Sequence, residues 1–391
     1  MEVIPAARTR NIRYAIRDLV VLAEQLTGDV LWFNIGDPGV YDFPVPAHLV
    51  EAVHQAMLAG KNGYAPSLGV KEARDAVRAD ALRRGFKAVR NVVMSNGASE
   101  AIEFALTALV NPGENVLVPC PGYPLYAAVL EKLGCETAPY FLDERNGWQP
   151  DLADMEKRVN PKTRAVVLIN PNNPTGSVCS KKTLKAALDI ARRHHLVVLA
   201  DEIYDRMLYS GEKHVPLASL AEDVPIKSFC GLSKNYLAPG WRVGWLILSG
   251  AGTAAYDDAV CKLARARLSA NYPMQFAVKP ALEGPQGHIA ETARKLEERA
   301  RYLERRCKEI PGLSLTPPKA AFYAFPSVQV ADDEAFVKEL LMKEKALVVH
   351  GSGFGQKPGS QHVRIVYLAP IPQLEQLFER MERLLGSTAR K

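Results

Sequence analysis

The chain has 391 residues, of which 48% are hydrophobic and 24% are charged, the composition of an ordinary globular protein. Its net charge of +6 is spread without a basic block, which argues against a nucleic-acid-binding protein but suits an anionic cofactor or substrate. The six cysteines are widely spaced and no run of about 18 apolar residues occurs, so we expect a cytoplasmic protein without a metal site, a disulfide framework or a membrane span.

The N-terminal part is predicted to form an irregular arm and a helix within residues 1–29, whose scattered charges argue against a signal peptide. A short strand at 30–35 leads into Gly36-Asp-Pro-Gly39. This is a tight turn where a ligand could approach the backbone, although a plain surface turn would have the same pattern. Helices are predicted at 47–60 and 69–85, on either side of a linker rich in glycine and proline.

Short apolar runs then alternate with helical stretches as far as residue 200. Strands are predicted at 92–95, 115–119, 136–141, 164–169 and 196–200, and helices at 100–110, 126–133, 152–159 and 181–194. This alternation indicates βαβ units and a parallel sheet covered by helices on both faces. Because ligands of such sheets bind beyond the carboxyl ends of the strands, polar residues after each apolar run are candidates for a site.

Beyond Ser249 the pattern changes to long helices and short strands, which indicates a second, α+β domain. Helices are predicted at 253–268, 286–309, 332–343 and 371–386, and strands at 313–316, 322–325, 346–349 and 362–367. We therefore expect an arm and part of the small domain at 1–45, a large domain at 46–285 and a small C-terminal domain at 286–391.

The loop between two apolar runs at 226–230 and 243–248 carries Lys234 eight residues before Arg242. A lysine is a nucleophile only where its surroundings lower its pKa, and no other charged residue adjoins Lys234 in the sequence. An amine and a guanidinium on one loop suit an aldehyde carbon and a phosphate on one small molecule. Pyridoxal phosphate carries both groups.

Two further motifs follow strands of the predicted sheet. Ser95-Asn-Gly-Ala98-Ser99-Glu100 links a strand to a helix, where small residues and the helix N-terminus suit a phosphate, although Ser99 could simply cap the helix. Tyr123 lies in a loop bracketed by prolines and offers a rigid aromatic face for a planar ring, or packs the loop.

Three other polar positions point to the same kind of ligand. Asn170-Pro-Asn-Asn173-Pro-Thr-Gly176 forms a polar loop, from which an amide could bond to a ring hydroxyl. Asp201 ends an apolar strand and needs a partner, either a protonated pyridine nitrogen or an ordinary cap or salt bridge. Arg364 lies in an apolar strand and needs a carboxylate, which a substrate could supply.

With these parts in order, the sequence resembles class I pyridoxal-phosphate-dependent aminotransferases of the aspartate aminotransferase superfamily, from about residue 30 to 385. The resemblance depends on four motifs: Asn170-Pro-Asn-Asn-Pro-Thr-Gly176, Asp201-Glu-Ile-Tyr204, Ser233-Lys234 followed by Pro239-Gly-Trp-Arg242, and Arg364. Alanine aminotransferases of the bacterial and archaeal kind are most similar, through Tyr14-Ala-Ile-Arg-Asp18, Asn34-Ile-Gly-Asp-Pro38 and Gly231-Leu-Ser-Lys234. The resemblance implies the α/β fold type I of these transferases, with a mostly parallel sheet between helices plus a smaller α+β domain.

The resemblance also implies how the cofactor ring is held. Lys234 would form the internal aldimine with pyridoxal 5′-phosphate and then act as general base and acid. Asp201 would keep the pyridine nitrogen protonated, which makes the ring an electron sink. Asn173 and Tyr204 would bond to the ring oxygen, and Tyr123 would stack on the ring.

At the phosphate, the family pattern implies the backbone of Ala98 and Ser99 together with the side chain of Arg242. One departure from many relatives is Gly231, because they carry serine or threonine three residues before the lysine. Ser233 could replace that hydroxyl, or could point away from the phosphate.

The substrate site implied by the resemblance includes Arg364, the backbone of Gly36 and Asn173 around the α-carboxylate. Tyr64 would reach the phosphate of a neighbouring subunit, so a homodimer with shared active sites is implied. Arg267 lies six residues before a proline, as does the second arginine of aspartate enzymes. Arg267 is therefore either a partner for the distal carboxylate of glutamate or 2-oxoglutarate, or a charged helix end.

The function implied is transamination between L-alanine and 2-oxoglutarate by a ping-pong mechanism. The alternatives are an aspartate or aromatic aminotransferase, a carbon–sulfur lyase on the same scaffold, and a regulatory protein that kept the fold. The presence of Lys234 argues against the last of these.

Overall fold

The computed structural model describes residues 3–10, 12 and 15–388. Its α-helices are α1 (Ala15–Asp18), α2 (Val20–Glu24), α3 (Ala47–Leu58), α4 (Lys71–Arg83), α5 (Ala98–Thr107), α6 (Leu125–Lys132), α7 (Leu152–Lys157), α8 (Lys181–Arg193), α9 (Ala254–Ala266), α10 (Val278–Glu283), α11 (Gly287–Glu309), α12 (Asp333–Glu344) and α13 (Ile371–Thr388). Its strands are β1 (Leu31–Trp32), β2 (Val89–Asn96), β3 (Asn115–Cys120), β4 (Glu136–Asp143), β5 (Gln149–Pro150), β6 (Thr163–Ile169), β7 (Val197–Asp201), β8 (Ile226–Gly231), β9 (Val243–Ser249), β10 (Leu313–Ser314), β11 (Tyr323–Ala324), β12 (Ser327–Val328), β13 (Ala346–Leu347), β14 (Val349–His350) and β15 (Val363–Val366).

The larger part of the molecule is built on an eight-stranded sheet with the order β2-β9-β8-β7-β6-β3-β4-β5. Neighbouring strands from β8 to β4 are parallel. Strand β9 runs antiparallel to β2 and β8, and β5 runs antiparallel to β4. The prediction of a mostly parallel sheet is therefore confirmed.

Alternate residues of the central strands pack on opposite faces of this sheet. Val166 and Val198 belong to one buried apolar cluster, whereas Val167 and Leu199 belong to another. Helices α3, α4 and α8 supply the first cluster, and α5, α6 and α9 supply the second. Both faces are thus covered by helices, as a sheet with apolar residues on both faces requires.

Helix α8 shows how the local sequence sets these elements. The Ser180 hydroxyl accepts a hydrogen bond from the Thr183 backbone nitrogen at 3.0 Å, and so caps the first turn. Four of its five buried residues then recur at helical spacing: Leu184, Ala187, Leu188 and Ala191.

The strand ends determine where polar side chains collect. Strands β2, β3, β6, β7 and β8 end at one edge of the sheet, and β9 begins there because it runs in the opposite direction. At this edge Asp201 lies beside Phe229, and Gly231 lies beside Gly244. The loops that follow these strands therefore meet above a single edge.

A second unit contains the sheet β11-β15-β14 and the pair β10-β12, packed against α11, α12 and α13. Strand β1 joins this unit by pairing in parallel with β13, Leu31 opposite Ala346 and Trp32 opposite Leu347. Phe33 and Phe43 are buried in the same apolar cluster. We therefore propose that residues 1–45, where the structure describes them, belong with 286–391, and that 46–285 form the large domain.

The observed elements differ from the predicted ones mainly near the N-terminus and around residue 280. The helix expected within 1–29 is split into α1 and α2 at Leu19. Helix α10 was not predicted, and its third residue is Pro280, which a first helical turn tolerates. No helix in the described part of the chain is long and apolar enough to cross a membrane.

Candidate active site

A cavity of about 440 Å³ opens at the carboxyl edge of the large sheet. The residues selected from the sequence that line it are Gly36, Ala98, Ser99, Tyr123, Asn173, Asp201, Tyr204, Ser233, Lys234, Arg242 and Arg364. The fold thus gathers side chains that are up to about 330 positions apart in the chain into one cavity.

Lys234 lies just beyond the end of β8, and its Nζ donates a hydrogen bond to the backbone oxygen of Gly36 at 2.8 Å. Burial and the charge of Arg364 lower the pKa of Lys234 to about 8, against the opposing charge of Asp37. A larger fraction of the amine is therefore unprotonated at neutral pH than in an exposed lysine, as a nucleophile requires.

Asp201 ends β7 and is 4% exposed. Its Oδ2 accepts a hydrogen bond from the Tyr126 hydroxyl at 3.0 Å, and no ion pair joins its carboxylate to a cation within the described residues. Burial raises the pKa of Asp201 to about 6, although the bond from Tyr126 lowers it. A buried carboxylate without a cation is costly, so this wall of the cavity fits a positively charged ligand atom.

The three asparagine side chains of the loop at 170–176 have different hydrogen-bond partners. The Asn170 Oδ1 accepts from the Cys179 nitrogen at 2.8 Å, and the Asn172 Oδ1 accepts from the Thr175 hydroxyl at 2.9 Å. These two side chains therefore hold the loop, whereas Asn173 faces the cavity. Its Oδ1 accepts from Arg364 Nη1 at 3.1 Å.

Arg364 is the largest fully buried side chain of the protein as described, with 1% exposure. Besides the Asn173 amide, its guanidinium donates to the backbone oxygen of Asn34. The Tyr323 and Phe354 rings lie 4.7 and 4.6 Å from its central carbon. The Tyr323 hydroxyl lies 2.8 Å from that of Tyr204, which ties a second predicted residue to this wall.

Arg242 and the start of α5 form the opposite end of the cavity. Arg242 has a left-handed backbone, with φ of 55°, and its guanidinium donates to the Pro239 backbone oxygen at 2.9 Å. A Cβ on Gly97 would lie 2.3 Å from Arg242 Nη2, so only glycine allows the guanidinium to lie across the N-terminus of α5. Backbone N–H groups, a helix N-terminus and a guanidinium together suit a phosphate.

The structure explains why glycine occupies position 231. A Cβ there would lie 2.7 Å from the Val243 backbone oxygen, because β8 and β9 approach closely at this pair. A hydroxyl side chain is therefore excluded from Gly231 in this backbone. Ser233 is buried and lines the cavity, so it remains the candidate for that hydroxyl.

Two residues selected from the sequence do not line the cavity of their own chain. Tyr64 is 79% exposed, so any contact with a cofactor has to be made to another subunit. Arg267 Nη1 lies 2.5 Å from Glu100 Oε2, and Nη2 donates to the Ser67 and Met94 backbone oxygens. The role of Arg267 in binding a distal carboxylate stays a prediction. Its charge is already paired with Glu100.

Sequence reasoning missed Tyr126 and Tyr323 as partners of Asp201 and Tyr204. Tyr126 was interpreted as the start of a helix, and its position three residues after Tyr123 was the available signal. Arg17 also lines the cavity. It belongs to the Tyr14–Asp18 motif, of which Tyr14 lies outside the described residues.

Comparison with known proteins agrees with this geometry. The family model for aminotransferase class I and II matches residues 29–381. An alanine aminotransferase of Mycobacterium tuberculosis is 39% identical over 98% of this chain and 92% of its own length. The glutamate-pyruvate aminotransferase AlaA of Escherichia coli is 37% identical over 97% of both chains.

Among solved structures, an alanine aminotransferase from Pyrococcus furiosus superposes with a TM-score of 0.94 at 39% identity, over 98% of this chain and 100% of that chain. The described residues include no cluster of three or more His, Cys, Asp or Glu side chains that could hold a metal ion. The chain belongs to the class I and II aminotransferases, pyridoxal-phosphate-dependent enzymes of fold type I.

Proposed function

We propose that this aminotransferase exchanges an amino group between L-alanine and 2-oxoglutarate by a ping-pong mechanism. The observation that carries the proposal is the placement of Lys234 and Arg364 in one cavity, an amine of lowered pKa beside a buried guanidinium. The similar proteins named alanine or glutamate-pyruvate aminotransferase support alanine as the amino donor.

The described residues fit pyridoxal 5′-phosphate at both ends of the cavity. Asp201, buried without a cation, would hold a proton on the ring nitrogen. Arg242 and the backbone of Ala98 and Ser99 would hold the phosphate at the N-terminus of α5. When bound, the cofactor supplies an aldehyde carbon and an electron-withdrawing ring that stabilises negative charge on the substrate α-carbon.

The orientation of Asn173 follows from its partner. A guanidinium only donates hydrogen bonds, so the amide atom facing Arg364 is Oδ1 and the Nδ2 group points elsewhere. Asn173 Nδ2 and the Tyr204 hydroxyl would donate to the ring oxygen, and Tyr123 would pack against the ring. Arg364 would hold the substrate α-carboxylate, next to the Gly36 backbone.

Lys234 would move the proton of the reaction. Its Nζ, partly unprotonated at neutral pH, would take the proton from the substrate α-carbon. It would then donate a proton to the cofactor carbon that receives the amino group. The bond from Nζ to the Gly36 oxygen places the amine on the side of the cavity that Arg364 and Gly36 share.

For the distal carboxylate of 2-oxoglutarate the chain offers two arginines. Arg17 lines the cavity of its own chain, whereas Arg267 is paired with Glu100 and would have to act from a partner subunit. A homodimer is part of this proposal, supported by the exposed Tyr64. The six free, buried cysteines support a reducing, cytoplasmic setting.

The proposal is tested with a panel of amino donors and 2-oxoglutarate, assayed beside Lys234→Ala. We expect alanine to give the highest kcat/KM and the variant to lose on the order of 10³-fold or more of kcat. Activity surviving in the variant would contradict the mechanism. A preference for aspartate or an aromatic donor would assign the alternative transaminations, and elimination without amino transfer would assign a carbon–sulfur lyase.

Alanine substitutions of Arg17 and Arg267 show which of the two arginines binds the distal carboxylate. If Arg17 binds the distal carboxylate, Arg17→Ala raises KM for 2-oxoglutarate by about 10-fold or more while KM for alanine stays unchanged. Arg267→Ala serves as the comparison, and the same selective rise there instead would transfer the role to Arg267.

A further inference from the structure

The residue that follows Tyr204 is hydrogen-bonded to the residue that follows Lys234. Asn235 Nδ2 donates to Asp205 Oδ1 at 2.6 Å, and both side chains are at most 6% exposed. This bond joins the segment after β7, which follows Asp201 and carries Tyr204, to the segment after β8, which carries Lys234. It lies beyond the last backbone pairing of the two strands, where the sheet no longer sets their spacing.

Asp205 is held in turn by Arg84, which follows the last residue of α4. Arg84 Nη2 lies 2.5 Å from Asp205 Oδ2, so the two carboxylate oxygens have different partners. Burial raises the pKa of Asp205, but Arg84, His214, Arg206 and the bond from Asn235 together outweigh burial, so the pKa lies below its usual value. The carboxylate is therefore ionised at neutral pH, and its bond to Asn235 is charge-assisted.

Asn235 is fixed on its remaining sides as well. Its Oδ1 accepts from the Arg206 backbone nitrogen at 3.4 Å, and its backbone oxygen lies 3.2 Å from His288 Nε2. None of these groups lines the cavity. They therefore act on the reaction through their chain neighbours Tyr204 and Lys234, which do line the cavity.

We propose that Asp205 is a positioning residue, which through Asn235 holds the Lys234 amine in a fixed place relative to Asp201 and Tyr204. The inference rests on the proposed role of Lys234 in amino transfer. Without the bond, the Lys234 loop gains freedom and the amine spends less time in its partly buried place in the cavity that Arg364 also lines. Both its reactivity and its unprotonated fraction then fall.

The test compares Asn235→Ala and Asp205→Ala, which remove the bond from either side, with two other variants. Asp205→Asn keeps an oxygen that accepts from Asn235 but loses the charge opposite Arg84. Asp80→Asn is the matched control, because Asp80 pairs with Arg206 at 2.6 Å and lies 3.8 Å from Arg84 without touching Asn235. For the kinetics, each variant is measured as the full-length holoenzyme.

The first readout is kinetic. We expect Asn235→Ala and Asp205→Ala to lower kcat for alanine by about 10- to 100-fold, with KM within about twofold of wild type because Arg364 is untouched. Asp205→Asn should retain most of kcat, and Asp80→Asn should match wild type even where its melting temperature falls.

The second readout needs neither cofactor nor activity. Acetic anhydride labelling of Lys234 in the cofactor-free chain, followed by peptide mass spectrometry, gives the pH midpoint of the amine. Wild type and Asp80→Asn should titrate near the same pH, whereas both alanine variants should titrate at higher pH. Because this midpoint is independent of substrate choice, it separates failure of this inference from failure of the proposed function.

Equal kcat and midpoint in Asn235→Ala and wild type would overturn the proposal. So would an Asp80→Asn variant that shifts the midpoint as far as the alanine variants do, since the effect would then come from general loosening of the arginine cluster. If one alanine variant does not fold, the other removes the same bond and decides the question.

Discussion

Two lysines at opposite ends of β8, Lys227 fully buried and Lys234 partly buried, have contrasting surroundings. Lys227 is 0% exposed, and its Nζ is 2.7 Å from Asp257 Oδ1 and 3.1 Å from the Thr253 hydroxyl. Lys234 lies beyond the other end of the strand, and its amine bonds to the carbonyl oxygen of Gly36. Burial lowers the pKa of both, but a carboxylate opposes this at Lys227 and a guanidinium reinforces it at Lys234.

The contrast shows that burial alone does not make a lysine reactive. At the Lys227 end the buried charge is matched, so the group stabilises the sheet against α9. At the Lys234 end the ammonium faces Arg364 across a cavity, so the charged form is disfavoured and the amine becomes available. The site is therefore prepared for chemistry at some cost in stability.

Removal of Arg364 should have the largest effect on the difference between the two lysines, because it changes both kcat/KM and the pKa of Lys234. Arg364→Met should lower kcat/KM for alanine by roughly 10²- to 10³-fold, because removing one partner of a buried, hydrogen-bonded charge pair costs about 2–5 kcal/mol. The same change should raise the pKa of Lys234, since the neighbouring cation is gone. Steady-state kinetics and pH-dependent labelling of Lys234 measure the two effects.

The matched control is Arg299→Met, which removes another buried arginine, one that bonds to Asp42 and Leu368 outside the cavity. This control should destabilise the fold yet keep the pKa of Lys234. A similar rise of that pKa in both variants would show that Arg364 has no special influence on the amine.

Removal of Lys227, whose charge is paired with Asp257, should lower the stability of the fold and leave the chemistry intact. Lys227→Met leaves Asp257 with only the partly exposed Arg90, 2.9 Å away, as its cation among the described residues. We expect a loss of about 3 kcal/mol in the free energy of unfolding, measured with urea. The kcat per folded molecule should stay at the wild-type value, and a large fall would place Lys227 in the catalytic machinery.

Removal of the reactive lysine should change stability in the opposite direction. The folded pKa of Lys234, about 8, lies below the ordinary value of 10.5, so between these pH values the unfolded chain binds more protons and stability rises with pH. At pH 7 the cofactor-free Lys234→Met chain should gain about 3 kcal/mol over wild type, because each unit of pKa shift is worth about 1.4 kcal/mol. The gain should shrink between pH 8 and 10.5 and vanish above, and a pH-independent difference would argue against a depressed pKa.

The site residues that could be predicted from the sequence are those that lie in short motifs. Lys234 and Arg242 are close in the chain, and the strand on each side places them at one edge of the sheet. Asp201 follows an apolar strand directly, so its burial could be expected. Gly36 and Arg364 were found from a turn and from a charge within an apolar strand.

What the sequence could not provide are contacts between distant segments. The Tyr126–Asp201 bond spans 75 positions and the Arg267–Glu100 pair spans 167. The bond between Asp205 and Asn235 joins two loops whose separation depends on how far β7 and β8 extend. The spacing before a proline suggested a substrate role for Arg267, but spacing says nothing of a competing carboxylate.

The central claim is that Lys234 is the amine that receives the cofactor. Borohydride reduction of the enzyme with pyridoxal 5′-phosphate, followed by peptide mapping, tests it directly. We expect one modified lysine, Lys234, with Lys227 unmodified and no stoichiometric adduct in Lys234→Met. Stoichiometric modification at another lysine, or an adduct that persists in an active Lys234→Met enzyme, would contradict it.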